Sequence, residues 1–550
     1  MNLGSFNLLK VKILNVKFEE MKISGQIIDV VGRKMFPGTV TVENGKITDI
    51  VEEQNNSTNI IMPGMVDAHI HIESSMLVPS EFARMAVVHG SVGAVCDPHE
   101  IANVLGINGI RFMIDNGKSV PFKFYFGAPS CVPATTFETS GAVIDHNDIE
   151  TLMAMDDIHF LGEMMNYPGV IFNDEEVRLK LEAAKRHNKP IDGHAPGVVG
   201  DDAKKYVGAG ISTDHECFTL EEALEKVKLG MKILIREGSA AKNFDALVPL
   251  FKTCPDKVMF CSDDRHPDDL IKCHINDSVR RAISLGYDKF DVIRAATVAP
   301  VEHYKMNIGL LQKNDPADFI VIDNFENFNV LQTYINGELV AENGESKLAH
   351  LATTPINNFD AEPVTAADFY VEENGKKVNA IEIIPGQLVT NKVVVDRHDP
   401  DVLKIAVINR YQKSKPAVGY VKNFGLKRGA LASSIAHDSH NIVVIGCSDE
   451  EMAAAVNQIV TCKGGITAYS KEICVTMPMP VAGLMNNGDG YMVAEAYKNV
   501  DKFAKSLGTT LNAPFMTMGF MALLVIPSLK LSDKGLFDGD KFQFENLMAE

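Results

Sequence analysis

Between Pro63 and Gly309 the sequence alternates short β-like runs with helix-like stretches. The β-like runs are GSVGAVCD, KFYFGAP, DIHFLGE, KPIDGHA, GISTDHE, MKILIREG and KVMFCSDD, and the helix-like ones include DEEVRLKLEAAKRHN and TLEEALEKVKLG. A strand followed by a helix, repeated about eight times in roughly 250 residues, is typical of a (β/α)8 barrel. The tract therefore predicts an α/β fold in which residues 63–309 form a barrel, with functional side chains after the carboxyl ends of its strands.

Two β-like tracts flank this region. The first lies in residues 1–62 and contains KISGQIIDV and GTVTVENGKITDIVEE, and the second lies in residues 310–355 and contains DFIVIDNFENFNVLQTYINGELVAENG. Either tract alone is too short for a stable sheet with a covered face. We therefore expect them to pair into one composite β-sandwich domain built from both flanks.

The pattern changes after a polar, proline-containing stretch near residues 349–364. Residues 365–550 contain their own β-like runs (KIAVINR, NIVVIGC) and helical stretches (DEEMAAAVNQIVT, YMVAEAYKNVDKFAKSL). This length is enough for a separate core, so an additional C-terminal α+β domain is predicted. The most apolar window, FMTMGFMALLVIP at 515–527, is shorter than the ~20 residues of a membrane-spanning helix and is interpreted as a buried core element.

Charge and composition narrow the possible partners. The 53 Lys and Arg residues are outnumbered by 72 Asp and Glu, the formal net charge is −19, and no basic run occurs in the 550 residues. An electrostatic grip on nucleic acid is therefore not expected. The amino terminus lacks the apolar stretch of a signal peptide, and the nine cysteines show no C-x-x-C spacing. These features predict a cytoplasmic protein that acts on a small molecule, with no membrane and no nucleic-acid partner.

The segment PGMVDAHIHIESS places His69 and His71 two residues apart after an apolar run. On a strand, side chains two residues apart point to the same side, as two ligands of one metal ion must. The alternative interpretation is a chance pair of surface histidines.

Four later β-like runs also end in residue types that bind metals. Taken singly, each would be read as a cap or a satisfied polar group. Together with the H-x-H pair, their order along the chain predicts a metal centre at the strand ends. The four residues are Glu163, His194, His215 and Asp263.

This order of H-x-H, Glu, His, His and Asp resembles the binuclear metal centre of the amidohydrolase superfamily. Longer motifs are similar to those of the bacterial adenine deaminase family, and the resemblance runs from about Met21 to the C-terminus. They are HIHIESSMLVPSEFARMAVVHGSVGAVCDPHEIANVLG, GEMMNYPGV, DGHAPG and SSIAHDSHNIVVIG.

The resemblance implies hydrolytic deamination of adenine to hypoxanthine and ammonia, as in purine salvage, by a hydroxide that two divalent metal ions activate. Manganese or iron is favoured and zinc is possible, since the ligands are imidazoles and carboxylates without thiolates. Asp263 is also expected to take the proton from the hydroxide and pass it to the leaving amine. The partners are adenine and water, and a homo-oligomer is expected. The implied ligands are His69, His71 and Asp263 on one ion, His194 and His215 on the other, and Glu163 bridging both.

The group that protonates the purine ring is not fixed by these motifs. Mononuclear deaminases of the superfamily carry His-x-x-Glu on strand five, whereas this chain has His194 followed by Ala-Pro-Gly. Glu163, or Asp97 and His99 in the loop CDPHE, are the nearest polar candidates for a catalytic role. For Asp97 and His99 the alternative is a capped turn around Pro98.

Two rival functions share this sequence pattern. A binuclear amidohydrolase could instead open a cyclic amide, and a silent relative could serve as a scaffold through its C-terminal domain. In that domain His437, Asp438 and His440 lie close together in SSIAHDSHN. They predict a polar cluster that packs over the barrel mouth, with a third metal site as the alternative.

Overall fold

The structure is a computed structural model that describes residues 20–372, 375–471 and 473–549. Residues 1–19 of the predicted composite domain, and with them most of the segment considered for a signal peptide, lie outside the described residues. The chain is an α/β protein whose parallel strands lie between residues 65 and 261.

The chain begins with the first flank of strands: β1 (Met21–Asp29), β2 (Lys34–Glu43), β3 (Lys46–Glu52) and β4 (Ile60–Pro63). β1, β2 and β3 pair antiparallel, and β4 lies parallel to β1. Asn44 and Gly45 join β2 to β3 with φ values of 51° and 78°, as a two-residue hairpin turn requires.

Eight parallel strands follow, and all seven β-like runs of the sequence correspond to one of them. The first five pair successively in one sheet and the last three in another. The amide of Ser212 donates to the carbonyl oxygen of Ile191 at 2.9 Å, which brings the two sheets together, and the amide of Asp263 donates to His69 at 2.9 Å. The strands are β5 (Met65–Ile70), β6 (Ser91–Cys96), β7 (Lys123–Ala128), β8 (Ile158–Met164), β9 (Ile191–Gly193), β10 (Thr213–Asp214), β11 (Lys232–Arg236) and β12 (Val258–Cys261).

Helices connect these strands. α6 illustrates why they form where they do: the Asp174 carboxylate accepts a hydrogen bond from the amide of Val177, acidic residues occupy the first turn, and Lys185 and Arg186 occupy the last. The helices are α1 (Pro79–Ala86), α2 (His99–Leu105), α3 (Ile107–Gly117), α4 (His146–Met153), α5 (Tyr167–Ile171), α6 (Glu175–Arg186), α7 (Gly200–Gly208), α8 (Leu220–Lys228), α9 (Phe244–Leu247), α10 (Pro267–Leu270), α11 (Ile275–Ser284), α12 (Lys289–Ala296) and α13 (Val298–Tyr304).

The second flank contains β13 (Phe319–Ile322), β14 (Val330–Ile335), β15 (Glu338–Glu342) and β16 (Glu345–Ser346). β13 pairs antiparallel with β4, so strands from both flanks form one eight-stranded sheet. Apolar residues from both flanks pack into one hydrophobic core on this sheet, among them Ile27, Val40, Ile47, Phe319 and Tyr334.

The C-terminal part contains a second eight-stranded sheet, in the order β18-β17-β20-β19-β22-β21-β23-β24, and a three-stranded sheet. The apolar window at 515–527 forms a short helix and turns with a buried core face, which confirms the interpretation as a core element. The strands are β17 (Lys377–Ile383), β18 (Thr390–Asp396), β19 (Val402–Ile408), β20 (Ala417–Lys422), β21 (Ala430–Ser433), β22 (Ile442–Gly446), β23 (Gly465–Ser470), β24 (Ile473–Pro478), β25 (Leu529–Ser532), β26 (Gly535–Asp538) and β27 (Gln543–Phe544), and the helices are α14 (Asp449–Cys462), α15 (Gly490–Ser506) and α16 (Pro514–Phe520).

The C-terminal part packs on the loops that follow the parallel strands. The amide of Asn486 donates to the carbonyl oxygen of Met76 at 2.8 Å, and Arg84 of α1 pairs with Asp489 at 2.8 Å. These contacts place it over the carboxyl ends of β5 and its neighbours. Within the described residues, no helix combines the length and the apolar character needed to cross a membrane.

Candidate metal centre

His69 lies in β5 and His71 follows its last residue, and both side chains are buried. Their Nε2 atoms are 3.2 Å apart, so the two imidazoles point into the same space. Nδ1 of His71 lies 3.0 Å from the carbonyl oxygen of Asp97. A carbonyl can only accept, so Nδ1 carries the proton and the Nε2 lone pair faces the site, the arrangement that a metal-binding histidine needs.

Glu163, near the end of β8, occupies the centre of this space. Its Oε2 lies 2.9 Å from Nδ1 of His194 and 3.0 Å from Nε2 of His215, while its Oε1 lies 3.4 Å from Nε2 of His71. The two carboxylate oxygens therefore face two different groups of imidazoles, which suits a bridging ligand.

His194 and His215 follow β9 and β10 directly. The His215 ring stacks on that of His69, with centroids 4.2 Å apart. Asp263 follows β12 in a left-handed conformation with φ of 53°, and its Oδ1 lies 3.2 Å from Nε2 of His71. The structure thus brings all six predicted ligands into one cluster.

Asp97 and His99 occupy different positions beside this cluster. Oδ2 of Asp97 accepts a hydrogen bond from the backbone amide of Glu163 at 2.8 Å, so Asp97 supports the strand that carries Glu163. Nδ1 of His99 lies 3.5 Å from Oε1 of Glu163, and His99 lines the cavity above the cluster. α2 begins at His99 without a side-chain cap, and its N-cap residue is Pro98.

Several cavity residues were missed from the sequence. The buried Arg236, at the end of β11, contacts Glu216 through Nη1 and donates to Oδ2 of Asp263 at 2.6 Å. Glu216 and Glu100 each follow a predicted histidine directly, and Arg236 ends a predicted strand. Position at a strand end was the available signal for these residues. From the C-terminal part, His437 donates through Nδ1 to Oε1 of Glu100 at 2.8 Å.

The electrostatics favour anionic carboxylates at the centre of the cluster. Burial alone would raise the pKa of Glu163, but His194, His215 and His71 outweigh it and hold that pKa well below its ordinary value. Burial likewise would raise the pKa of Asp263, and the Arg236 guanidinium and His71 lower it well below its usual range. Two buried carboxylates therefore face four imidazoles, a donor set suited to divalent cations.

The donor atoms also lie close enough to share ions. Within the described residues, candidate ligand groups include His69, His71 and Asp263, and His69, Glu163 and His215, with the donor atoms of each group within 4.8 Å of one another. A further group joins His194 and His215 to Glu216, which the sequence had not suggested. Imidazole and carboxylate donors without thiolates fit manganese, iron or zinc.

Comparison with known proteins identifies the family. Residues 60–340 match the sequence model of the amidohydrolase family, and residues 383–543 match that of the adenine deaminase C-terminal domain. Three relatives are named adenine deaminase. The one from Salinibacter ruber is 52% identical over 534 residues, covering 95% of this chain and 98% of the relative. Those from Sulfurovum sp. and Methanosarcina mazei are 54% and 50% identical, covering 95% and 96% of this chain and 99% and 100% of the relatives. The chain belongs to the adenine deaminase family.

Membership of the adenine deaminase family accounts for the two-part architecture. The match to the amidohydrolase model covers the parallel strands that carry the six clustered residues, and the match to the C-terminal domain covers the part that packs over them. Among solved structures, β-aspartyl dipeptidase from Fervidobacterium islandicum aligns with 60% of this adenine deaminase family member and 99% of its own chain, at 15% identity and a TM-score of 0.46.

Proposed function

We propose that this protein hydrolyses adenine to hypoxanthine and ammonia. Relatives about half identical over nearly the whole chain carry the name adenine deaminase. The single structural observation that carries the proposal is the convergence of six side chains on one buried cluster that borders a cavity, namely His69, His71, Glu163, His194, His215 and Asp263.

The six residues would hold two divalent ions, with manganese or iron favoured and zinc possible. His69, His71 and Asp263 would hold one ion, His194 and His215 the other, and Glu163 both. Two ions in such a site supply a water molecule of lowered pKa and hold it near the base. The geometry that supports a shared role for Glu163 is that its Oε1 lies nearest His71, whereas its Oε2 lies nearest His194 and His215.

Asp263 is suited to move the proton between water and the leaving amine. Its Oδ2 is held by Arg236, so Oδ1 is left facing the imidazole pair. In the overall reaction the water oxygen bonds to C6 of adenine, the C6–N bond breaks, and the amine leaves as ammonia after gaining a proton. Oδ1 accepts one proton from water and returns it to that amine, and the second water proton leaves the C6 oxygen as the carbonyl forms and replaces the proton given to the ring nitrogen.

The ring proton is assigned to His99, with Glu163 as the second candidate. His99 lines the cavity, and its Nδ1 faces Glu163 at 3.5 Å, so it lies where a bound base would contact it. Asp97 is proposed as the positioning group of the pair, because its carboxylate is engaged by the backbone of Glu163.

The two rival functions, opening of a cyclic amide and a catalytically silent scaffold, have less support. A scaffold relative has no need to keep six candidate ligands in one buried cluster, and relatives about half identical over nearly the whole chain are named for adenine rather than for a cyclic amide.

The finer architecture is part of the same proposal. We assign residues 63–309 to a closed (β/α)8 barrel, residues 1–62 and 310–355 to a β-sandwich in which the two halves of the shared sheet face each other, and residues 365–550 to an α+β domain. The hydrogen bonds between β9 and β10, and between the residues after β12 and β5, support closure of the barrel. The shared core of both flanks supports the sandwich.

The cellular location, the macromolecular partners and the oligomeric state of the enzyme are predictions from the sequence. Nine cysteines without C-x-x-C spacing and the strongly acidic charge fit a cytoplasmic protein without a nucleic-acid or membrane partner. The homo-oligomer stays a prediction, which sedimentation of the purified protein would test.

Ammonia release from adenine tests the proposed function. The purified protein, reconstituted with Mn²⁺, should release one ammonia per hypoxanthine formed and should not open cyclic amides such as dihydroorotate. The variant Asp263→Asn should keep its fold, and its rate of ammonia release should fall by at least about 10²–10⁴-fold, the usual contribution of general acid–base catalysis. Ring opening without ammonia release would overturn the proposal.

A further inference from the structure

The cavity above the metal centre has two walls of different origin. Its lower wall consists of residues from the parallel strands and their loops. Its roof comes from the C-terminal domain and consists of Leu388, His437, Asp438, Phe520, Leu523 and Ile526. The space in which a substrate would sit is therefore shared between the two parts of the chain.

The polar side of this roof is centred on Glu100. Its Oε1 accepts a hydrogen bond from Nδ1 of His437 at 2.8 Å, and its Oε2 contacts Nε2 of His440. Both imidazoles belong to the C-terminal domain, whereas Glu100 lies in the first turn of helix α2. Burial alone would raise the pKa of Glu100, but His437, His440 and His99 outweigh it and hold that pKa well below its ordinary value. A buried, oriented anion thus faces the cavity.

His99 links this anion to the metal centre. Its Nδ1 lies 3.5 Å from Glu163, and its Nε2 lies 3.6 Å from Oε1 of Glu100. Glu100 is therefore one imidazole ring away from the metal cluster and borders the same cavity. A flat base that lies over His99 in this cavity, with its C6 at the cluster, would present its far edge to Glu100.

The apolar side of the roof offers a surface for a flat ring. Phe520, Leu523 and Ile526 are buried and border the same cavity. The Phe520 ring lies parallel to the His437 imidazole, with centroids 4.4 Å apart and 7° between the planes, which fixes both rings. An aromatic ligand would gain dispersion and burial energy against these residues.

We propose that the C-terminal domain completes the binding site for the purine base and selects the free base over its N9-substituted forms. His437 holds the Glu100 carboxylate so that it accepts a hydrogen bond from the imidazole-ring N–H of the base. Each carboxylate oxygen has two acceptor positions, so one remains on each beside the histidine contacts. Phe520, Leu523 and Ile526 cover the face of the ring. This inference rests on the proposed function and names the residues behind its selectivity.

Hypoxanthine is the binding probe, because it keeps the ring N–H and is not consumed. Glu100→Gln and His437→Asn should weaken its Kd by roughly tenfold or more, as expected for loss of a hydrogen bond to a charged group. Leu523→Ala should weaken it by roughly tenfold through lost burial. Metal content should match the wild type in all three variants. The controls are Glu81→Gln and Leu531→Ala, both buried residues that do not border the cavity, which should leave Kd unchanged.

Selectivity gives a second readout. The wild type should prefer adenine to 9-methyladenine, which has no ring N–H, and Glu100→Gln should reduce the ratio of the two kcat/KM values at least tenfold by losing activity on adenine alone. Purely steric exclusion of the methyl group would leave the ratio unchanged and overturn the inference. So would wild-type Kd values in both Glu100→Gln and His437→Asn. If the wild type releases no ammonia from adenine, the proposed function fails instead, whereas an active wild type with unaltered variants rejects only the inference.

Discussion

Arg236 donates from Nη1 to Oδ2 of Asp263 at 2.6 Å, while the other oxygen of that carboxylate, Oδ1, lies 3.2 Å from Nε2 of His71. The guanidinium also contacts Glu216 and is fully buried. One side chain therefore orients Asp263, lowers its basicity and neutralises a second buried carboxylate.

Replacement of Arg236 by Met should consequently destabilise the fold by about 3–5 kcal/mol, because it removes the guanidinium that pairs with two buried carboxylates. Denaturant unfolding of apo and Mn²⁺-loaded protein measures the loss. Arg186→Met, which removes an exposed ion pair with Glu150, is the control and should cost at most about 1 kcal/mol. Equal effects of the two substitutions would show that Arg236 does not support the site.

Glu163→Gln should lower both the metal content and the rate. An amide has only one oxygen that can coordinate, so the variant should retain about one of two ions per subunit. Metal analysis after gel filtration, together with the rate of ammonia release, checks this. Full occupancy by two ions in the variant would mean that Glu163 is not the bridge.

Asp97→Asn and His99→Asn should differ, because the structure gives the two residues different contacts. His99 borders the cavity, so its loss should lower kcat by about 10²–10⁴-fold at normal metal content and unchanged melting temperature. Asp97 accepts from the Glu163 amide, so its variant should lower the melting temperature more than it lowers kcat. Measuring all three quantities on one preparation separates these roles, and wild-type values for His99→Asn would remove it from the mechanism.

Adenine should be strongly preferred to adenosine. The C-terminal domain covers the cavity above the metal centre, and the proposed role of Glu100 is to accept a hydrogen bond from a ring N–H that the nucleoside lacks at N9. We expect kcat/KM for adenine to exceed that for adenosine by at least 10³-fold, since a site that binds an N–H discriminates strongly against analogues without it. Comparable values for the two substrates would contradict the base-specific assignment.

The sequence predicted those parts of the fold and of the metal centre that depend on residues close together in the chain. Most of the parallel strands were recognisable as short apolar runs, although β9 and β10 are short and partly polar. The polar residues at the strand ends gave the six predicted ligands His69, His71, Glu163, His194, His215 and Asp263. The union of the flanks followed from the small size of each tract, and β4 does pair with β13. Long-range partners carried no such signal: Glu100 and His437 are 337 residues apart in sequence, and only the packing of the C-terminal domain brings them together. Arg236 was missed for the same reason, because its partners Glu216 and Asp263 follow two other strands.

Lys530 gives a prediction for the stability of the roof as a function of pH. Its buried Nζ donates to the carbonyl oxygens of Leu388 and Phe520 at 2.8 and 2.9 Å, so it ties together two segments that border the cavity. Burial lowers the pKa of Lys530 from 10.5 to about 7. Between these two values the unfolded chain holds a proton that the folded chain has released, so the free energy of unfolding should rise with pH over that window and not below it. The slope from one such group reaches at most about 1.4 kcal/mol per pH unit.

Denaturant unfolding of the wild type and of Lys530→Met at intervals from pH 6 to 9.5 isolates the effect, because the variant lacks this titration. The difference in unfolding free energy, wild type minus variant, should stay constant below about pH 7 and increase above it. A difference that is flat across the whole range, or that falls as the pH rises, would show that folding does not lower the pKa of Lys530.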